Sequence, residues 1–203
     1  MATPFSPERK AFSDAAHEAA RTLLYPNIFC VSPEQLSFEE QGDLTANERW
    51  GALDGEMAID RLVKVHIEGY KQAIAFTIQE RFRTPDFARF RDLTITEWNT
   101  RTSLPSELYK LHAGMFLYGY FDITRGRFIE AIVANVPALM MALITGTIPY
   151  THELKRNGSQ TFIGIKFDDM HRARVLQYHY RTFPNKPALE WHVAFPTPKE
   201  ASA

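Results

Sequence analysis

The stretch that most constrains the fold is QAIAFTIQERFR, residues Gln72–Arg83. Strict alternation of apolar and polar side chains is typical of a β-strand, because successive side chains of a strand point to opposite faces of the sheet. One predicted face carries Ile74, Phe76, Ile78 and Phe82, and the other carries Ala75, Thr77, Gln79 and Arg81. We therefore predict a strand that ends with Gln79 and Arg81 side by side, with Glu80 between them on the opposite face.

A second β-rich run precedes this strand, and together the two runs predict a hairpin. Met57–Ile67 is joined to Gln72–Arg83 by the sequence EGYK, whose glycine suits a tight turn. Asp60 lies nine residues before Gly69 and Gln79 lies ten residues after it, so an antiparallel hairpin brings them together. An unpaired carboxylate is costly inside a sheet. Asp60 is therefore expected at a rim, in an ion pair, or on a metal.

The rest of the chain predicts an α+β fold with a central mixed sheet flanked by helices. Ser32–Leu53 is polar and irregular and is predicted as loop, and the segment Asp168–Arg181 is left open between helix and strand. Further predicted helices are Pro7–Leu24, Ser106–Phe121 and a short one opened by Pro137, and further predicted strands are Asp92–Trp98, Arg127–Val133, Gln160–Phe167 and Ala188–Phe195. The order helix, three strands, helix, strand is αβββαβ.

The length of 203 residues and the 45% hydrophobic content predict one domain with a packed core. We place this single domain at residues 1–195, with a core at about 7–134, a C-terminal embellishment at 135–195 and a flexible tail at 196–203.

Composition narrows the cellular setting. Cys30 is the only cysteine, which excludes an internal disulfide and a cysteine zinc cluster and favours a reducing compartment. No segment reaches about 18 consecutive apolar residues, and the N-terminus has no apolar signal core. We therefore predict a cytoplasmic, intracellular protein without a membrane partner. The formal net charge of −1 requires any nucleic-acid contact to use a local patch or bound cations.

The predicted cluster at the end of the hairpin combines a carboxylate, an amide oxygen and a fixed cation. Hard divalent cations prefer oxygen ligands, which Asp60 and Gln79 supply. A guanidinium such as that of Arg81 suits a phosphate that gains charge during displacement. Two structural alternatives remain at this point: an ion pair between Asp60 and Arg81 at the rim of the sheet, and a solvated edge-strand face carrying Gln79 and Arg81.

Asp60 followed by the triplet Gln79, Glu80 and Arg81, in an αβββαβ order, resembles the PD-(D/E)XK (restriction-endonuclease-like) nuclease superfamily, with a Gln-x-Arg variant of the second motif. The resemblance covers about 7–134. It implies a metal-dependent nuclease that hydrolyses phosphodiester bonds in DNA with Mg²⁺ or Mn²⁺. Asp60 would be the principal metal ligand, with Gln79 and the backbone carbonyl of Glu80 as further ligands. Arg81 would stand at the lysine position.

The sequence departs from the superfamily pattern at two of these positions. Gln79 is neutral, which removes one negative charge from the metal site and weakens binding of the cation. Arg81 cannot lose its proton near neutral pH, so it cannot act as a general base. It can position a water molecule or stabilise the transition state.

Further residues are assigned around this core by the same resemblance and by their charge. A supporting acid from the first helix is common in the superfamily, and Glu18 is the first candidate, Glu56 the second. The side chain of Glu80 and Lys110 on the second predicted helix are additional candidates. The predicted nucleic-acid-binding residues are Arg83, Arg89, Arg91 and Arg101.

Two alternatives of a different class accompany the nuclease prediction. In the first, the chain is a catalytically inactive nuclease-fold module that uses Arg81, Arg83, Arg89 and Arg91 to bind nucleic acid or a partner protein. In the second, it is an accessory subunit of a larger complex that seats its partner on an apolar surface formed by Met115, Phe116, Met140 and Met141. A homodimer is a third arrangement, suggested only by analogy with nucleases that cut both strands.

Overall fold

The computed structural model describes residues 6–40, 57–155, 158–183 and 186–192, and within them the chain is an α+β protein. The strands are β1 (Leu36–Glu40), β2 (Arg61–Val65), β3 (Ile74–Arg83), β4 (Asp92–Asn99), β5 (Leu104–Pro105), β6 (Met115–Asp122), β7 (Arg127–Asn135), β8 (Thr151–Leu154), β9 (Gln160–Lys166), β10 (Leu176–Phe183) and β11 (Lys186–His192). The α-helices are α1 (Pro7–Ala19), α2 (Tyr25–Phe29), α3 (Glu107–Lys110), α4 (Val136–Ile144) and α5 (Phe167–Arg172).

The described strands form two sheets. The larger is a seven-stranded mixed sheet in the order β1-β2-β3-β6-β7-β10-β11. Its neighbours are antiparallel except for β3 and β6, which run parallel. The smaller sheet is antiparallel and has four strands in the order β5-β4-β9-β8. Strand β3 lies inside the larger sheet, and the alternative of a solvated edge strand is therefore wrong.

Each face of the larger sheet covers its own apolar cluster. On one face, α1 and α2 pack residues such as Ala16 and Ile28 against Ile78 of β3. On the other face, β4 and β9 of the smaller sheet pack with α4 and α5 against β6. The larger sheet is therefore the middle layer between the N-terminal helices and the smaller sheet.

The N-terminal helix begins where the sequence predicts and continues further. The Ser6 hydroxyl accepts a hydrogen bond from the Arg9 N–H at 3.3 Å, which caps α1. After α1, a π-helical turn at Ala20–Leu24 leads directly into α2. Pro26 lies directly after this turn, where its missing N–H interrupts the helical hydrogen-bond ladder. The predicted break after Leu24 is nevertheless wrong, and the helical segment ends at the left-handed Cys30, with φ of 54°.

The largest error of the sequence prediction concerns the second helix. Only Glu107–Lys110 is helical within the predicted Ser106–Phe121, and Met115–Asp122 is the central strand β6. Every residue of β6 is buried. A strand covered on both faces shows no polar alternation, so its apolar residues also satisfied a helical spacing.

Tight packing at the middle of β6 is consistent with its burial on both faces. A Cβ atom added to Gly119 would lie 2.9 Å from Cδ1 of Phe128 and 3.3 Å from Cβ of Ala131. Both residues belong to β7, the antiparallel neighbour of β6. Glycine at this position therefore lets the Phe128 ring lie over the strand.

The predicted third strand also has a different place from the one expected. Residues Asp92–Asn99 do form a strand, β4, but it pairs with β5 and β9 in the smaller sheet and does not extend the β2–β3 hairpin. The αβββαβ order is thus not that of one continuous sheet. Strand β1, which follows the 3₁₀ turn at Pro33–Gln35, takes the outer position beside β2 instead.

Several other predictions are confirmed. Strand β7 is followed by α4, which Asn135 caps by accepting the Ala138 N–H at 2.9 Å. The predicted strand at residues 160–167 is β9, and the open segment 168–181 divides into α5 and β10. Because β10 pairs with β7, residues beyond 135 complete the larger sheet.

Among the residues that the structure describes, no helix combines the length and apolar character that crossing a membrane requires.

Candidate functional site

The β2–β3 hairpin brings Asp60 beside Gln79, as the sequence predicts. Arg61 is the register partner of Ile78, which places Asp60 opposite Gln79 in the continued register. The Asp60 N–H donates to the Ile78 carbonyl at 3.0 Å. The Asp60 carboxylate in turn accepts the Glu80 N–H through Oδ2 at 2.7 Å. The carboxylate is therefore fixed against the backbone of β3.

Gln79 and Arg81 share the face of β3 that is turned towards the smaller sheet, and both contact Glu107. The Gln79 Nε2 donates to Glu107 Oε1 at 3.3 Å, and the Arg81 guanidinium forms an ion pair with Glu107 Oε2. Arg81 Nη1 also donates to the Thr94 carbonyl at 3.1 Å. The ion pair described for Arg81 is thus with Glu107 and not the predicted pair with Asp60.

Burial makes the carboxyl group of Glu107 unusual. Burial raises the pKa of Glu107 above its ordinary value, and this outweighs the lowering by the Arg81 charge and by the hydrogen bond from the Thr96 N–H. Glu107 is not among the site residues that we predict from the sequence. Its spacing to Lys110 could have indicated that it belongs to the same site, because residues three apart share one side of a helical turn.

The amide oxygen of Gln79 is the unusual atom of this face. Oε1 of Gln79 is buried and has no hydrogen-bond partner among the described residues, although Gln79 as a whole is 8% exposed. A buried acceptor without a donor costs about 1–3 kcal/mol. An unpaired acceptor at this place is therefore suited to a bound cation or to a hydrogen-bond donor from a ligand.

A small cavity of about 250 Å³ opens in front of these groups, and we call it the Gln79 cavity. It is lined by Ala58, Gln79, Arg81, Glu107 and Lys110. Lys110, a candidate from the sequence, therefore lines this cavity, and its role stays a prediction. The cavity combines two cations with a carboxylate and an unpartnered amide oxygen.

Glu80 faces the other side of β3 and lies beneath α1. His17 Nδ1 lies 2.6 Å from Glu80 Oε2, the Tyr25 hydroxyl donates to Oε1 at 2.5 Å, and Arg61 donates to Oε2 at 2.9 Å. Burial alone would raise the pKa of Glu80. The His17 hydrogen bond, the Arg61 charge and the Tyr25 hydrogen bond outweigh it, so the pKa of Glu80 lies below its ordinary value.

The remaining acidic candidates are not brought to the Gln79 cavity. Glu18 is two-thirds exposed on α1, where it pairs with Arg21 at 3.8 Å, and α1 covers the opposite face of the sheet. His17, the preceding residue, is the side chain that α1 contributes to β3. Glu56 lies outside the described residues. The described contact between the Glu80 backbone and Asp60 uses the N–H of Glu80 as a donor.

The four predicted nucleic-acid-binding arginines do not form one patch. Arg83 stacks on Phe87, with Cζ 3.6 Å from the ring centroid, and donates to Thr94 Oγ1 at 3.2 Å. Arg89 is exposed and lies over Phe90. Arg91 is held in ion pairs with Glu130 and Asp168, each at 3.2 Å.

Arg101 lies apart from the other three arginines. It follows the end of β4, whereas Arg91 precedes the start of that strand. The eight residues of β4 at about 3.3 Å each separate them by roughly 25 Å.

The predicted apolar partner surface is not present as proposed. Met115 is 4% exposed and Phe116 is fully buried, because both belong to β6. Met140 is partly buried against the core, and Met141 is the member that is largely exposed. The four residues therefore do not share one surface.

The donor set at the Gln79 cavity fits a weakly held hard cation. Among the described residues, no three His, Cys, Asp or Glu side chains are grouped so as to hold a metal ion. Glu107 and Gln79 line the cavity, and the carboxylate of Asp60, which stands opposite Gln79 on the neighbouring strand, is the third oxygen group of the set. Mg²⁺ commonly keeps several waters and uses one or two carboxylates, so this set is compatible with it.

Comparison with known proteins adds no relative. No protein-family profile, no curated protein and no solved structure matches this chain.

Proposed function

We propose that the chain is a divalent-metal-dependent nuclease that hydrolyses phosphodiester bonds in DNA, with the Gln79 cavity as its active site. The observation that carries the proposal is the unpartnered, buried Oε1 of Gln79. Gln79 lines a cavity with two cations and stands opposite Asp60, whose carboxylate accepts the N–H of the next residue, Glu80. The proposal keeps the resemblance to the PD-(D/E)XK superfamily and its strand pair. Glu107 is added to it as the second carboxylate.

Asp60, Gln79 and Glu107 would hold Mg²⁺ or Mn²⁺ at this site. The cation supplies Lewis-acid stabilisation of a phosphate oxygen and lowers the pKa of a bound water. The hydrogen bond from the Glu80 N–H fixes the Asp60 carboxylate without the need for another side chain. A ligand position on two rigid strands is well suited to catalysis, because little motion is needed to form it.

The cations of the cavity act on the phosphate. Arg81 is oriented by the Thr94 carbonyl and by Glu107, and its guanidinium can donate to an oxygen of the scissile phosphate. Lys110 lines the same cavity from α3 and supplies a second positive charge. Arg81 remains protonated throughout, so it stabilises charge and does not accept a proton.

One observation favours the inactive module as a second candidate. Glu107 is neutralised by Arg81, and no third acidic ligand is present among the described residues. A site with so little net negative charge could bind nucleic acid through Arg81 and Lys110 without cutting it. The two candidates make opposite predictions for Asp60.

The test is a cleavage assay on single-stranded, duplex and branched DNA and on RNA, with Mg²⁺ or Mn²⁺ and an EDTA control. We expect metal-dependent cleavage of DNA by the natural chain, and a loss of at least about 100-fold for Asp60→Asn. Asp86→Asn, at a described acid in the 3₁₀ turn Pro85–Phe87, is the matched control and should cleave normally. DNA binding without cleavage by the natural chain would overturn the enzyme and leave the binding module.

A further inference from the structure

A second concave site lies between α1 and the C-terminal end of β3, and residues from both faces of the strand line it. This cleft has a volume of about 410 Å³, and we call it the α1 cleft. The residues used below are Arg9, Phe12, His17, Arg83 and Phe87, all of which line it. The volume is within the range of small-molecule sites and is too small for a folded partner.

The charge of the α1 cleft favours an anion. Arg9 is exposed, and neither Arg9 nor Arg83 has an acidic partner among the described residues. The carboxylate that lines the cleft, Glu80, is already engaged by His17, Tyr25 and Arg61. The two guanidinium groups are therefore available to a ligand of opposite charge.

The side chain of Arg83 is already fixed in one orientation by its neighbours. Its Nη1 donates to Thr94 Oγ1 at 3.2 Å, and its guanidinium carbon lies 3.6 Å from the centroid of the Phe87 ring. A planar guanidinium that is stacked and hydrogen-bonded loses less conformational entropy on binding than a free one. The fork geometry of arginine matches the oxygens of a phosphate group.

His17 provides a third polar group with a fixed orientation. Because Glu80 is an ionised acceptor, the Nδ1 atom of His17 carries the proton of their 2.6 Å contact. Nε2 of His17 has no hydrogen-bond partner among the described residues. The ring is 30% exposed and packs edge-on against Phe82, with 5.2 Å between ring centroids. His17 can thus contact a hydroxyl or phosphate group of a ligand in the cleft.

The aromatic residues of the cleft indicate which chemical group the ligand carries besides its anion. Phe12 and Phe87 line the space beside the cations, and an aromatic ring is a stacking surface for a nucleobase. An inorganic anion would leave these rings uncovered. The combination of two guanidiniums with aromatic walls fits a phosphate monoester that carries a planar ring.

We propose that the α1 cleft binds a nucleoside monophosphate group, with Arg9 and Arg83 on the phosphate and His17 on a further oxygen of the ligand. The group can come from a free nucleotide or from the phosphorylated end of a strand. This site shares Arg81 with the lining of the Gln79 cavity but none of the other residues that line that cavity, and it requires no metal. It goes beyond the proposed nuclease activity and does not depend on it.

The test is a calorimetric titration of the full chain with adenosine monophosphate in the presence of EDTA. We expect saturable binding that weakens by about 10-fold or more in Arg83→Ala and in Arg9→Ala, because each loses a charge-assisted contact. Arg127→Ala is the matched control, since Arg127 is exposed and does not line the cleft. Its affinity should stay within about twofold of the natural chain.

His17→Asn separates binding from folding. Asparagine keeps a donor near the Nδ1 position, towards Glu80, and removes Nε2, so we expect weaker nucleotide binding with a melting temperature close to that of the natural chain. Adenosine and inorganic phosphate should each bind more weakly than adenosine monophosphate.

The source of the phosphate is tested with oligonucleotides. A 5′-phosphorylated oligonucleotide that binds better than its 5′-hydroxyl counterpart would assign the site to strand ends, and equal binding would assign it to free nucleotides. Absence of saturable binding of adenosine monophosphate, or equal losses in Arg83→Ala and Arg127→Ala, would overturn the proposal. Cleavage at the Gln79 cavity is measured with metal and Asp60→Asn, so either proposal can fail alone.

Discussion

Gln79 and Glu80 are neighbours on β3 with almost the same exposure, 8% and 6%, yet their side-chain oxygens differ in how many hydrogen bonds they accept. The Glu80 carboxylate receives hydrogen bonds from three side chains on three other elements, α1, α2 and β2. The Gln79 Oε1 receives none from the described residues, and its Nε2 makes one long contact. The hydrogen-bonding capacity of Glu80 is satisfied within the protein, whereas Oε1 of Gln79 would find a partner only in a bound ion or ligand.

This contrast distinguishes stability from function on a single strand. A saturated buried ion network specifies how α1 docks on the sheet, because removal of one member leaves the others uncompensated. An unsatisfied acceptor beside a cavity contributes nothing to folding and costs free energy. The side of β3 that destabilises the protein is therefore the better candidate for binding.

The largest expected effect is a loss of stability when the fully hydrogen-bonded carboxylate of Glu80 is changed. Glu80→Gln removes the charge that compensates Arg61, which is itself buried, and should lower the free energy of unfolding by about 3–5 kcal/mol. Glu107→Gln should cost about 1 kcal/mol or less, because burial already raises the pKa of Glu107 and so disfavours its charged form in the folded protein. Urea denaturation measures both. A Glu107→Gln loss as large as that of Glu80→Gln would show that the two sides do not differ.

The second effect is a loss of activity without a loss of stability when Gln79 is changed. Gln79→Leu removes the unpartnered acceptor, so the free energy of unfolding should change by less than about 1 kcal/mol or rise. Metal-dependent cleavage should fall by at least about 10-fold, because a ligand oxygen is lost. Urea denaturation and the cleavage assay are run on the same preparation. A variant that is destabilised by more than about 2 kcal/mol would mean that Oε1 has a partner.

The smallest effect is a pH dependence of opposite sign for the two carboxylates. The pKa of Glu80 is lowered by folding, so its contribution is present above its unfolded pKa and is lost as the pH falls through its folded pKa. The pKa of Glu107 is raised, so the folded state takes up a proton first and gains stability as the pH falls towards about 4.5.

Unfolding of the natural chain, Glu80→Gln and Glu107→Gln between about pH 7 and pH 3 checks these signs. The gap between the natural chain and Glu80→Gln should narrow at the acidic end. The natural chain should gain relative to Glu107→Gln as the pH falls from neutral. Parallel curves for all three proteins would contradict both pKa shifts.

The hairpin could be predicted because its signals are local. Period-two alternation and one turn glycine set the strand, its faces and the register of Asp60 against Gln79. The same alternation predicts that Glu80 points away from Gln79. What Glu80 meets there depends on how α1 packs, and no short-range pattern encodes that His17 and Tyr25 converge on it.

The second helix could not be predicted for a physical reason. A strand buried on both faces and a buried helix are both continuous apolar runs, so periodicity does not separate them. That error hid the parallel pairing of β6 with β3, and it hid the position of Glu107 on the turn before β6. Glu107 became visible as a site residue only through its contacts with Gln79 and Arg81.

The pairing of early strands with late ones has a consequence for synthesis of the chain. Strand β4 finds its partner in β9, and β7 finds its partner in β10, the penultimate strand. A nascent chain on the ribosome therefore cannot complete the smaller sheet until Lys166 has left the exit tunnel, or pair β10 and β11 in the larger sheet until His192 has. Until β9 emerges, the face of β6 that packs against the smaller sheet is not fully covered, and such late, long-range contacts slow folding and expose apolar surface. A chaperone that shields β6 would be most useful in this interval.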